Sequence, residues 1–214
     1  MIIAVYKPKG PTSNDVVQMI KKTTGANKVG HAGTLDPLAS GVLVVGIGRE
    51  STKNLSEEVK KEKEYIALVK LGETSETDDE EGKKTIVQKY EQPDKSIVTE
   101  ITKKFIGRIR QIPPVYSAIK INGREAYKYA RKGKAPEMKP REVEIKSIEI
   151  LEYKWPFLKI KVTTGPGVYI RSLARDIGNE LGTGGYLAEL ERTRVGQFTK
   201  DYSVKLKDIP KLFS

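Results

Sequence analysis

The sequence predicts an α+β fold built on a mixed, mostly antiparallel sheet with flanking helices. Three observations point there: strand-like segments outnumber helical ones, the two do not alternate in regular βαβ units, and neither an internal repeat nor a low-complexity segment interrupts them. Counting the 19 glycines with the 37% hydrophobic residues gives an apolar fraction of about 46%, enough for a sizeable core. Length alone, 214 residues, leaves one large domain or two small ones open. With no evident linker, 1–214 reads as a single domain, and its least regular stretch, 74–140, fits an insertion on the sheet.

Residues 2–6 (IIAVY) read as a short strand. KPKGP then turns into a helix capped by Ser13 or Asn14, with Val16, Met19, Ile20 and Thr23 at helical spacing and Gly25 closing it. GHAGTLDPLASG, punctuated by glycine, is a loop, and the apolar run VLVVGI at 42–47 is a buried strand. KEYIALVKL at 63–71 is another strand, with Tyr65, Ala67, Val69 and Leu71 on one face. The acidic stretch SETDDEEGK at 75–83 lacks the residue order of a calcium loop and reads as a solvated hairpin loop. Val143 and Ile145 alternate, then Ile148 and Ile150 resume out of phase, which predicts a β-bulge near Lys146 and Ser147. FLKIKVTT at 157–164 alternates cleanly and puts Lys159 and Lys161 on the exposed face. Gly165-Pro166-Gly167 leads into a helix whose stripe is Ile170, Leu173, Ala174, Ile177 and Leu181, with Arg171 and Arg175 sharing the neighbouring face.

Thirty-nine Lys plus Arg against 28 Asp plus Glu leave a formal charge of +11, which favours a polyanionic partner, nucleic acid first. The absence of cysteine removes disulfides, thiol catalysis and thiolate metal sites. A single histidine, His31, cannot build a multi-histidine metal site within one chain. With no run of 18 apolar residues and an N-terminus that breaks into Lys and Pro after five residues, no membrane span or signal peptide is expected. The expectation is a cytoplasmic protein.

Between Asp15 and Glu50 the only carboxylate is Asp36, in a glycine-rich loop with Lys21, Lys22, Lys28 and Arg49 in the surrounding sequence, so it should stay ionised. Spacing alone leaves open whether Asp36-Pro37 carries chemistry or merely initiates a turn. His31 and Tyr65, taken singly, read equally well as structural residues. GIG at 46–48 and GTGG at 182–185 match neither a phosphate loop nor the dinucleotide fingerprint, so nucleotide hydrolysis has little support.

The strings KPKGPTSND, GHAGTLDPLASGVL, KEYIALVKLG, IPPVYSAIKINGREAYKYAR and GVYIRSLARDIG occur in one order, and that order closely resembles the TruB-type tRNA pseudouridine-55 synthases over nearly the whole chain. The resemblance implies the pseudouridine synthase fold in one catalytic domain, acting on the T-arm loop of tRNA without metal or other cofactor. It makes Asp36 the essential residue, with His31 stacking in the substrate and Tyr65 lying against the flipped uracil. Tyr169 and Arg171 would contact the substrate, Arg171 also pairing with the aspartate, and Leu190 would complete the pocket wall. Lys7 and Pro8 match a KP motif whose implied role is architectural. The chain ends at DIPKLFS, so it reads as lacking the small C-terminal RNA-binding domain these enzymes commonly carry. No obligate protein partner is evident, which fits the guide-dependent dyskerin branch less well. The alternatives are pseudouridylation of another RNA, ribosomal or guide-directed, and an RNA-binding module without catalysis.

Overall fold

A computed structural model describes every residue except 122, 135 and 214. In chain order the elements are β1 (Ile2–Lys7), α1 (Ser13–Thr24), β2 (Val29–Ala32), β3 (Ala39–Ile47), α2 (Arg49–Val59), β4 (Lys63–Leu71), β5 (Glu73–Ser75) and β6 (Lys84–Ile86). There follow α3 (Lys95–Lys103), β7 (Gly107–Gln111), β8 (Lys120–Ile121), β9 (Arg124–Glu125), α4 (Ala126–Ala130), β10 (Arg141–Lys154) and β11 (Phe157–Thr164). The chain continues through α5 (Ile170–Glu180), β12 (Gly185–Val195), β13 (Phe198–Thr199) and β14 (Val204–Lys205) to a 3-10 helix, Leu206–Leu212. It divides into two compact units, Met1–Ile66 with Val162–Pro166 and Glu189–Ser214, and Ala67–Lys161 with Gly167–Ala188. Strands β4, β11 and β12 run through both.

In the first unit the strands lie in the order β14-β1-β3-β12, with β2 on β3 and β13 on β12. The pairings β1 with β3, β2 with β3 and β12 with β13 are antiparallel, while β1 with β14 and β3 with β12 are parallel, so the expected mixed, mostly antiparallel character is present. The run VLVVGI is apolar throughout because both faces of β3 are covered. Leu43, Val45 and Ile47 pack with Val5, Val16, Ile20 and Ile209, whereas Val42 and Val44 pack with Ala4, Ala32, Leu55 and Val195. Leu55 belongs to α2, a helix the sequence does not announce because it is the only residue of Arg49–Val59 that is buried. Gly46 admits the helix: a Cβ there would lie 3.0 Å from the Ser51 main chain.

Two expectations about α1 change. Its cap is Thr12, whose hydroxyl accepts from the Asp15 amide while the Asp15 carboxylate accepts from the Thr12 amide, a reciprocal capping box. Met19 is exposed, and Val16, Val17 and Ile20 form the buried stripe that Gly25 terminates.

In the second unit the order is β4-β11-β10-β7, with β7 and β10 antiparallel. Tyr65, Ala67, Val69 and Leu71 of β4 are all buried, as the period-two pattern requires. β10 changes burial phase between Ile145 and Ile148. Residues 74–140 hold two small two-stranded sheets, β5-β6 and β8-β9, together with α3, β7 and α4. No helix among the described residues is long and apolar enough to cross a membrane.

Candidate active site

Asp36 lies in the loop between β2 and β3, half-buried between Leu35 and Leu38, which are 3% and 6% exposed. Burying the two leucines anchors the loop on either side of the carboxylate, and main-chain bonds complete the hold. The Ser13 hydroxyl accepts from the Leu35 amide at 2.8 Å and donates to the Leu35 carbonyl at 2.9 Å. Gly10 N donates to the Pro37 carbonyl at 2.8 Å, and Ala39 N donates to the Asp36 carbonyl at 3.1 Å. Leu190 of β12 pairs in parallel register with Ala39, three residues after Asp36. His31 of β2 pairs with Val45, and Tyr65 is buried on β4.

Three cations are buried in the same unit: Lys7, Arg192 and Lys63. Each is satisfied by main-chain carbonyls. Lys7 Nζ donates to Pro8 and Pro11 at 2.9 and 2.7 Å, so it ties the 8–11 segment to the end of β1. Arg192 donates from Nε to Val42 and from Nη2 to Gly33, at 2.8 and 3.0 Å, spanning both ends of the Asp36 loop. Lys63 Nζ donates to Val59 and Lys61, both at 2.8 Å. Gly41 stands in register with Lys7 on one side and Arg192 on the other. At φ +110°, a Cβ on it would lie 2.2 Å from the Arg192 carbonyl oxygen, so only glycine fits. Burial pushes the Lys7 ammonium down to about 8, opposed by the Asp36 carboxylate and reinforced by Arg192. Lys63 is pushed down to about 8 by burial and Arg192, and the same two causes lower His31.

In the second unit Tyr169 is the residue preceding α5, and the buried Gln111 amide holds its main chain from both sides. Tyr169 N donates to Gln111 Oε1 at 2.8 Å, and Gln111 Nε2 donates to the Tyr169 carbonyl at 3.1 Å. Arg171, in the first turn of α5, is 7% exposed. Its Nη1 reaches Asp79 Oδ2 at 3.2 Å and the Thr77 carbonyl at 3.3 Å, and its Nη2 donates to the Tyr116 carbonyl at 2.8 Å. Asp79 is 2% exposed and also accepts from the Glu81 amide and the Thr77 hydroxyl. One turn on, Arg175 bonds Asp78 at 2.7 Å. Burial raises the Asp78 carboxyl although Arg175 pulls the other way. The acidic 75–83 stretch is thus not simply a solvated loop: its Asp78 and Asp79 partner the arginine pair of α5.

Among the described residues no three His, Asp or Glu side chains cluster to hold a metal ion. What the first unit offers is the Asp36 carboxylate on a braced loop, flanked by buried leucines, in a unit that also buries three cations.

Residues 21–170 match the family model for the TruB family pseudouridylate synthase N-terminal domain, and residues 171–214 that for the tRNA pseudouridylate synthase B C-terminal domain. The chain is 47% identical over 211 residues to the tRNA pseudouridine synthase B of Clostridium tetani, covering 97% of this chain and 72% of that protein. The chain belongs to the TruB family. The corresponding enzyme of Parabacteroides distasonis is 44% identical over 214 residues, covering 97% of this chain and 91% of that one. Among solved structures, a Cbf5–Nop10–Gar1 complex matches with TM-score 0.77 at 32% identity, over 98% of this chain and 53% of the matched chain. An H/ACA RNP bound to a substrate RNA containing 2′-deoxyuridine matches with TM-score 0.74 at 30% identity, over 98% of this chain. The chain spans about half the length of those two matched chains.

Of the positions the TruB resemblance singles out, Lys7, Pro8, His31, Asp36, Tyr65 and Leu190 fall in the first unit, and Tyr169 and Arg171 in the second. Pro8 is exposed, and its carbonyl serves Lys7. Ser13, which the sequence offers only as a helix cap, joins Asp79, Gln111, Lys63 and Arg192 as residues with no site role in the sequence pattern. Only Asp79 left a usable signal, since two adjacent acids in one loop complement two arginines four residues apart on a predicted helix.

Proposed function

We propose that this TruB-family chain converts uridine 55 in the T-arm loop of tRNA to pseudouridine, with Asp36 as the essential carboxylate. The chain is a tRNA pseudouridine synthase, an isomerase. The reaction breaks the N1–C1′ glycosidic bond, turns the uracil over and joins C5 to C1′; the C5 proton is lost and N1 gains one. Nothing is oxidised and no outside group enters, so the chemistry itself assigns no task to a metal or cofactor. One carboxylate can attack or stabilise positive character on the sugar, whereas hydrolysis normally recruits a second to activate water. Asp36 is the one carboxylate in the sequence of its loop, 33–38, and is flanked by buried leucines, which fits isomerisation with water held off.

The target base has to leave its stack to be reached. Tyr65 is assigned to the flipped uracil, Leu190 to the pocket wall, and His31 to stacking in the opened loop. Tyr169 and Arg171 are assigned to substrate contact. The observation that carries this reading is the bracing of Asp36 at Leu35, Asp36 and Pro37. A module that only bound RNA would not need one acid held so closely. The test is Asp36→Asn, with pseudouridine quantified in a tRNA transcript. The variant should fold and bind RNA nearly as the parent does and make no product; turnover within tenfold of the parent refutes the assignment.

A further inference from the structure

We propose that Ser13 is a positioning residue for Asp36, an inference that rests on the catalytic reading of that aspartate. Ser13 opens α1, yet the helix does not use its hydroxyl as a cap, because Thr12 and Asp15 already satisfy the helix start reciprocally. The hydroxyl instead turns inward, 2% exposed, and spends both its donor and an acceptor on one residue 22 positions away, the Leu35 amide at 2.8 Å and the Leu35 carbonyl at 2.9 Å. Leu35 is 3% exposed and immediately precedes Asp36.

The same segment holds the other side of the aspartate through the bond from Gly10 N to the Pro37 carbonyl. Lys7, by gathering the Pro8 and Pro11 carbonyls, shapes the segment that carries both contacts. Asp36 is therefore suspended between two main-chain anchor points supplied by residues 10–13. Without the Ser13 oxygen, the Leu35 N–H and C=O are buried with neither partner nor ready access to water, so the loop has to move to satisfy them. A shift of about 1 Å in a reacting group costs on the order of 100-fold in rate while leaving remote binding contacts in place.

The experiment compares Ser13→Ala with Val17→Ala, a buried α1 residue outside the site whose truncation destabilises the same helix. Both are assayed well below their melting temperatures. Ser13→Ala should lower kcat by about 10- to 100-fold with KM for tRNA changed less than about threefold, and Val17→Ala should keep kcat within about threefold of the parent. If Ser13→Ala does not fold, Ser13→Cys, which keeps the shape and weakens both bonds, is read the same way. Ser13→Ala with kcat within threefold of the parent, or an equal loss in Val17→Ala, overturns the proposal. An active Asp36→Asn would instead overturn the catalytic reading beneath it, so the two failures are distinguishable.

Discussion

Removing Asp79 should cost the protein more than removing any exposed acid of the same loop. The Arg171–Asp79 pair is 3.2 Å apart, with side chains only 8% and 3% exposed. Deleting one partner of a buried pair costs up to about 3–5 kcal/mol. Asp79→Ala removes one buried carboxylate from Arg171 and also takes the acceptor from the Glu81 amide and the Thr77 hydroxyl, so a cost in that range is expected. Asp79→Asn preserves shape and one acceptor, and should cost nearer ~1.5–3 kcal/mol, the value of a hydrogen bond to a charged group. Glu76→Ala, exposed in the same loop, should stay within ~0.5 kcal/mol. The assay is urea denaturation followed by circular dichroism on Asp79→Leu, Arg171→Met and the double variant. Because an apolar pair can replace a buried ionic one, the double variant should lose less than the sum of the singles, with a coupling of about 2 kcal/mol. Coupling below ~0.5 kcal/mol, or an Asp79→Ala variant as stable as Glu76→Ala, would refute the reasoning.

Lys7 should make stability depend on pH in a defined direction. Its folded value of about 8 lies below the ordinary 10.5, so the burial penalty is complete below pH 8 and is released as pH rises from 8 to 10.5. The stability of the parent relative to Lys7→Met, from melts at a series of pH values, should rise across that window by up to ~3 kcal/mol; a flat or falling difference contradicts it. Binding of tRNA should weaken steeply with salt given the +11 charge, with a log-log slope of about −3 or steeper if four or more phosphates are contacted; a flat plot counts against it. Isomerisation of a T-arm hairpin that folds in monovalent salt should persist in excess EDTA. Complete loss restored by a divalent ion would overturn the mechanism.

Much of the architecture was legible because one-dimensional periodicity records which face of an element is buried. Tyr65, Ala67, Val69 and Leu71 announced β4, the unbroken VLVVGI run announced a strand covered on both sides, and Ile170, Leu173, Ala174 and Ile177 announced α5. The loop string that holds Asp36 resembles the TruB enzymes, and the match over nearly the whole chain bears out the family. Polar side chains were a different matter, since their environment depends on groups distant in sequence. Ser13 read as a helix cap, and only the approach of Leu35 from 22 residues away made its hydroxyl a brace. Asp79 read as one more solvated acid until α5, 92 residues on, brought Arg171 against it. Lys7 carried only the architectural role implied by its KP motif, and Lys63 and Arg192 carried none, yet folding buries all three against backbone carbonyls. Local pattern located the strands and helices that carry an apolar stripe, which α2 does not, because burying a stripe needs only the stripe. The partners of Ser13, Asp79 and Arg192 were decided by tertiary structure, because a carbonyl or carboxylate can satisfy a polar group from anywhere in the chain and leaves no period in the sequence, whereas Lys7 and Lys63 take carbonyls within four residues and owe only their burial to the fold.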